Sequence, residues 1–333
     1  MEPKMTLHVR GDGRASAHEM PPDSGAHSAS SRRAAWRIIG VFISLVFVSA
    51  WLFAIPMWIF GHETANPIYL FSSTFFMLSP AIVAIGVVYF LEGRPILSSL
   101  ALNLRGKWRR VLVSIPIAIL VAIAISLLTS LSSALLGTYH FDFLNLSNLP
   151  AFFAQLGQNL SEDGNMQAAF LQAMAITAPI MLIGGLIGTM GEEIGWHAWL
   201  YPRLRELMGI PSAMIITGIV WGLWHAPVIL LGHNYPSNPP LGVVMMIGVC
   251  ILLTGPIQVL MNWAGTVWTA AIMHAAINSY GVVFYFGLQD GARPADALWA
   301  GTTGMGGWPA GIAIFLVCLV ILKRQERKGE VSS

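Results

Sequence analysis

An all-α, polytopic membrane protein of about eight transmembrane helices is the fold class this sequence predicts, on three observations. Of 333 residues, 55% are hydrophobic and only 10% charged, against roughly 25% charged in a soluble domain. The apolar residues gather in runs that reach the roughly 20 residues a membrane span needs. The Lys and Arg residues fall on alternate connections between those runs, as a fixed orientation in a bilayer demands. A net charge of +2 points to no nucleic-acid partner; the lipid bilayer is the partner that composition implies. Cys250 and Cys318 lie in apolar segments without ligand-like spacing and read as buried thiols.

Residues 1–34 are polar and rich in Ser, Ala, Pro and Gly, with no apolar run. They read as a disordered cytoplasmic tail, without the apolar stretch of a signal peptide. Eight apolar segments follow, near 36–60, 67–91, 111–136, 168–200, 211–232, 241–263, 265–288 and 307–322. Together 35–323 form one transmembrane helical domain, and 324–333 a short cytoplasmic tail. The first segment follows Arg32, Arg33 and Arg37 and ends at "GHETANP". The second runs into a basic connection holding Arg94, Arg105, Lys107, Arg109 and Arg110. The third ends at Gly137, before a connection whose "FDFLNLSNLPAFFAQLGQNL" predicts an interfacial helix. The fourth is longer than one crossing requires and closes on Arg203 and Arg205, and the fifth ends at "GHNYPSNPPL". Only "NWAG" separates the sixth from the seventh, and the eighth closes on Lys323 and Arg324. With both termini cytoplasmic, every one of the 18 Lys and Arg residues except Arg293 lies on one side. A seven-span arrangement would scatter them. No internal repeat is visible, which weighs against transporter folds built from duplicated halves.

Ionisable groups at membrane depth are costly and usually face protein or water. Here they are Glu192, Glu193 and His197 in the fourth segment, His225 in the fifth and His274 in the seventh, with Asn278 one turn after His274. At about 1.5 Å per residue, the glutamates lie roughly 13 Å from Tyr201, His225 about 21 Å from Pro211, and His274 about 14 Å from Gly265. Three helices thus carry titratable groups in one slab of the membrane. Small residues flank them: Gly184, Gly188, Gly191 and Gly195 in the fourth segment, Gly218 and Gly222 in the fifth, Gly281 in the seventh. Such residues let helices approach closely. Glu192, His225, His274 and Asn278 are therefore expected to meet in one polar pocket. Glu193 and His197, on another face of their helix, read as a local support. Trp196, Trp199, Trp221 and Trp224 read as packing or as an interface belt.

A carboxylate, two imidazoles and a carboxamide in a dry enclosure suit activation of water. The histidines would hold a divalent metal or orient the water directly, and Asn278 would donate to a developing oxyanion. Hydrolysis of an amide fits that inventory, and no zinc-peptidase HExxH pair is present.

The stretches "GEEIGWHAWLYPRL", "GIVWGLWHAPVIL" and "TAAIMHAAINSYG" resemble the three motifs of the CAAX protease and bacteriocin-processing family of intramembrane endopeptidases, related to the Ras-converting CAAX endopeptidase. The resemblance covers residues 168–285. It implies a catalytic set of Glu192, Glu193, His225, His274 and Asn278. Glu192 would activate the hydrolytic water, and His225 would act with it. His274 and Asn278 would serve a metal or the oxyanion, and Glu193 would pair with the motif's arginine. It also implies zinc or another divalent metal, with Glu192, His225 and His274 as candidate ligands. His197 stands where the family has that arginine, and Trp221 where it has phenylalanine. Without a permanent counter-ion for Glu193, activity becomes pH-dependent, is retuned, or is lost.

The function expected is an endopeptidase of the cell (plasma) membrane, cleaving a membrane-associated peptide or protein by glutamate-activated water, with or without metal. Two other readings use the same residues. One is a non-catalytic scaffold or bacteriocin-immunity protein of the same family. The other is a transporter of metal ions or protons.

Overall fold

The computed structural model describes residues 29–61, 66–160 and 164–329. Among these residues there is no strand, only an isolated bridge between Phe141 and Gln289. Eight long or site-bearing helices organise the chain: α1 (Ala29–Phe60), α2 (Pro67–Gly86), α3 (Trp108–Leu135), α4 (Ala178–Glu193), α5 (Tyr201–Trp224), α6 (Pro239–Ala264), α7 (Val267–Ala276) and α8 (Trp308–Arg327). Most of the polar tail, 1–28, lies outside the described residues, and α1 takes in the rest of it, 29–34.

Local chemistry sets several of these boundaries. Asn66 caps α2 by accepting from the Ile68 amide at 2.9 Å, with Pro67 at the first helical position. Asn238 and Pro239 open α6 in the same way. Gly265, left-handed at φ 71°, ends α6 and lets α7 begin two residues later. That turn is the physical reason "NWAG" suffices between two spans.

Among the described residues seven helices are long and apolar enough to cross a membrane, and one of them, Met166–Trp224, has 59 residues. A straight helix of that length would measure about 88 Å, against a hydrocarbon core of about 30 Å. It is not straight. Gly209 sits at φ 79°, ψ 171°, a conformation essentially restricted to glycine, and Pro211 follows. The chain folds back there. Trp196 and Trp224 would stand about 42 Å apart on a straight helix, yet their ring centroids are 5.7 Å apart. Against α1, Phe42 stacks on Trp199 and Arg32 reaches the Leu207 carbonyl, while Trp58 donates to the carbonyl of Pro227. The run therefore descends to Gly209 and returns, so that this one segment forms two antiparallel helical arms. The fifth span ends at Trp224, earlier than the 232 expected, because the chain turns at His225 into a short helix, Ala226–Ile229.

Neighbouring helices agree with alternate crossings. The parallel pair α3 and α7 starts where Lys107 donates to the Gly265 carbonyl and rises to where Ser126 donates to the Gly281 carbonyl at 2.9 Å. At the end holding Gly209 and Gly265, Arg203 grips the Glu92 carboxylate (2.8 Å from Nε) and Arg110 donates to the Trp263 carbonyl. Large apolar side chains on the outside, including Leu120, Ile183, Ile187 and Val317, are more than half exposed, as lipid contact requires. The helix expected in the connection after α3 forms as Leu149–Gln155. It buries Leu149, Phe152 and Phe153 in a second apolar cluster with Val283 and Leu288.

Candidate active site

Close helix contacts bring the polar residues inward. On α4, Gly188 and Gly191 press against Met77 and Leu78 of α2, and Gly195, just beyond α4, against Pro80; a Cβ on Gly191 would stand 2.5 Å from the Met77 carbonyl oxygen. Gly184, expected in the same stripe, faces open space. Gly218 and Gly222 of α5 lie directly on Ile251 and Ile247 of α6. Two π-helical turns follow: Ile194–Leu200 directly after the two glutamates, and Ile277–Gly281 around Asn278. The extra residue in such a turn redirects the side chains next to it.

Glu192, His225, His274 and Asn278 line a single chamber of about 760 Å³. Glu192 is almost fully buried, whereas Asn278 is exposed to the chamber. The Trp221 indole N–H donates to Glu192 Oε2 at 2.7 Å. His225 Nε2 stands 4.0 Å from the same oxygen. His225 Nδ1 is 3.0 Å from the Trp221 carbonyl. A carbonyl only accepts, so Nδ1 carries the hydrogen and the Nε2 of the neutral ring is free to accept. A gap of 4.0 Å is too long for a direct hydrogen bond. A water about 2.8 Å from each atom would donate one hydrogen to each, at an angle close to its own geometry.

Behind this pair, His274 Nδ1 meets Glu193 Oε1 at 2.7 Å. His197 Nδ1 abuts the other oxygen of Glu193, close by distance but without hydrogen-bond alignment. Glu193 and His197 have no exposed surface. Glu193 is therefore more than a local support for its own helix. It ties α4 to α7 and fixes the ring orientation of His274, while the nearby Thr189 donates to the Ala271 carbonyl. The carboxylate pair is split, with Glu192 on the chamber and Glu193 behind it.

Trp221 makes a contact that the sequence reading did not foresee. It is no mere packing residue: its indole holds Glu192, and its ring stands edge-on to His197 and His274, at 5.7 and 5.2 Å between centroids. The available signal was its position one turn before His225 on the same helical face, together with the N–H that phenylalanine lacks. Trp224 stacks on Phe76 at 4.1 Å and meets His225 edge-on at 4.7 Å, walling the site.

For a metal, the donor types are suitable. Both imidazoles have Nδ1 engaged, the arrangement ligating histidines adopt. As the side chains stand, however, no three His, Cys, Asp or Glu residues among those described gather into a set able to hold an ion.

Residues 172–280 match the family described as type II CAAX prenyl endopeptidase Rce1-like. A 57-residue stretch is 33% identical to the CAAX prenyl protease 2 of Methanococcus maripaludis, covering 17% of this chain. The match spans about a fifth (21%) of that relative's length. The family match, 172–280, takes in Glu192, His225, His274 and Asn278, so the part of the chain that carries the polar chamber is similar to the CAAX prenyl endopeptidases.

Proposed function

We propose that the protein is an intramembrane endopeptidase in which Glu192 is the general base. The observation that carries this reading is the pair of unlinked acceptors, Glu192 Oε2 and His225 Nε2, 4.0 Å apart at the wall of the chamber. A water held between them loses a proton to Glu192 as its oxygen attacks the scissile carbonyl carbon. Negative charge then builds on the carbonyl oxygen, where the Asn278 carboxamide donates. Glu192 returns the proton to the leaving nitrogen, the C–N bond breaks, and a carboxylic acid and an amine result. His274, oriented by Glu193, lines the same chamber and steadies the developing charge.

Metal assistance, with zinc the first choice, is a variant of this proposal. A divalent ion would take Glu192, His225 and His274 as ligands and would supply Lewis-acid activation of the water. Those donors would have to draw closer than they stand, and the path without metal needs no such movement. The metallo form is therefore the second choice.

The transporter reading requires a polar route past the site. On the side toward Gly209 stand Trp196, Trp199, Leu200 and Leu204, all fully buried, which favours a dead-end chamber. The scaffold reading drew on the missing arginine; the contact of His197 with Glu193 supplies a partner in its place. The distribution of Lys and Arg supports both termini being cytoplasmic, in a multi-pass protein of the cell membrane. The test is Glu192→Gln in purified protein against quenched fluorescent peptides. Cleavage should fall about 100- to 10,000-fold with helicity and melting unchanged, and undiminished cleavage would refute the role of Glu192.

A further inference from the structure

The chamber has a direction. Glu192 lies about 25 Å along the helix from Gly209, and His225 about 24 Å on the return. From that depth the lining continues one way only. It includes Tyr69, Asn234, Pro236, Tyr285, Thr302 and Thr303. Tyr69 stands in the first turn of α2, Asn234 and Pro236 in the connection before α6, and Tyr285, Thr302 and Thr303 between α7 and α8, where Tyr235 donates to the Thr303 carbonyl and Thr129 meets Thr302. His233, Asn234 and Pro236 are exposed as well as chamber-lining, so the mouth is there. No lining residue comes from 93–107, 200–212 or 262–267, the connections at the opposite end.

That opposite end is sealed and positively charged. Trp199 is sandwiched between Phe42, stacked at 4.1 Å, and the Arg203 guanidinium, 4.3 Å from its ring centroid. Arg203 is in turn locked on Glu92. Every described Lys and Arg except Arg293 belongs to the connections and chain ends on this side, and Arg293 is paired with Asp290 at 2.8 Å. Basic connections stay in the cytoplasm. The mouth is therefore on the other face.

We infer that the chamber admits its substrate from the non-cytoplasmic face of the membrane, as an extended, apolar and uncharged stretch of peptide. The lining carries no Lys or Arg to hold a terminal carboxylate, and its walls are mostly apolar, with Met57, Phe76, Met246, Leu253 and Ile277 among them. The volume is that of a single ligand pocket, so a few residues enter at once. The inference rests on the endopeptidase reading for what happens inside, but not for which side is open.

The experiment uses the full chain carrying Asn234→Cys at the mouth or Glu206→Cys at the sealed end. Cys250 and Cys318 are buried. The probe is a membrane-impermeant maleimide on a polyethylene glycol too large for the chamber. In intact cells N234C should be labelled, and E206C only after permeabilisation; the reverse pattern would overturn the orientation. In detergent, the modified N234C protein should lose at least about tenfold in peptide cleavage, with modified E206C unaffected. Blockage from the E206C side alone would overturn the assigned mouth. If neither protein cleaves any peptide before modification, the endopeptidase reading fails, while the labelling still decides the side.

Discussion

Replacing Trp221 by phenylalanine keeps an aromatic ring against His274 and His197 but deletes the indole N–H that lies 2.7 Å from Glu192 Oε2. That bond is buried and has a carboxylate as acceptor. Hydrogen bonds to charged groups contribute about 1.5–3 kcal/mol. The Glu192 oxygen it holds is also the one facing His225, so the loss falls on the geometry of the attacking water. At about 1.4 kcal/mol per factor of ten, the rate constant should drop roughly 10- to 100-fold. The indole N–H is engaged by Glu192, so its loss should change KM little. The measurement is kcat and KM for one peptide with wild-type and W221F protein, alongside thermal melting. A kcat equal to wild type, with the fold intact, would refute the claim that the indole positions the base. A rise in KM alone would make Trp221 a wall of the chamber and nothing more.

Glu193→Gln keeps the volume but removes the charge that joins His197 and His274. Removing one partner from a buried pair costs about 3–5 kcal/mol, so E193Q should melt lower and cleave more slowly, whereas E192Q should only cleave more slowly. Equal melting of the two variants would contradict the division between a structural and a catalytic glutamate. Exhaustive chelation followed by dialysis separates the two paths: the water held between Glu192 and His225 predicts that cleavage survives it. Loss on chelation with recovery on adding zinc would replace the path without metal by the metal-assisted one.

Much of the architecture was legible because a bilayer imposes simple rules. Runs of apolar residues marked the helices long and apolar enough to span it. Arg203 and Arg205 marked the turn between the fourth and fifth spans, even though helical hydrogen bonding runs almost unbroken through it. The break rests on Gly209 alone, at a backbone angle that sequence periodicity does not reveal. The glycines beside the polar residues pointed to close approach, and Gly188, Gly191, Gly218 and Gly222 do meet facing helices. Gly184 does not, because a repeat along one helix carries no information on how far its neighbour extends.

Within the site, the meeting of Glu192, His225, His274 and Asn278 followed from shared depth and helical faces. The partners of Glu193 did not. Rotation on an ideal helix separates it from Glu192 but cannot foresee that a histidine from α7 reaches it. The π-helical turn at Ile194–Leu200 also departs from the ideal repeat on which such angles are drawn. Trp221 was misread for a different reason: tryptophan is both a packing residue and a donor, and only the neighbour decides which property matters. The direction of the chamber was invisible in the sequence, because the residues toward its mouth, Tyr69, Asn234 and Thr302 among them, are distant along the chain.

The central claim is that Glu192 and His225 act on one and the same water. The direct measurement compares E192Q, His225→Ala and the double variant in kcat/KM on a single peptide. Groups that act as a unit give losses far from additive, so the double variant should be no more than about threefold slower than E192Q alone. If the two losses instead multiply in full, the carboxylate and the imidazole act independently, and a water shared across the 4.0 Å gap is the wrong mechanism.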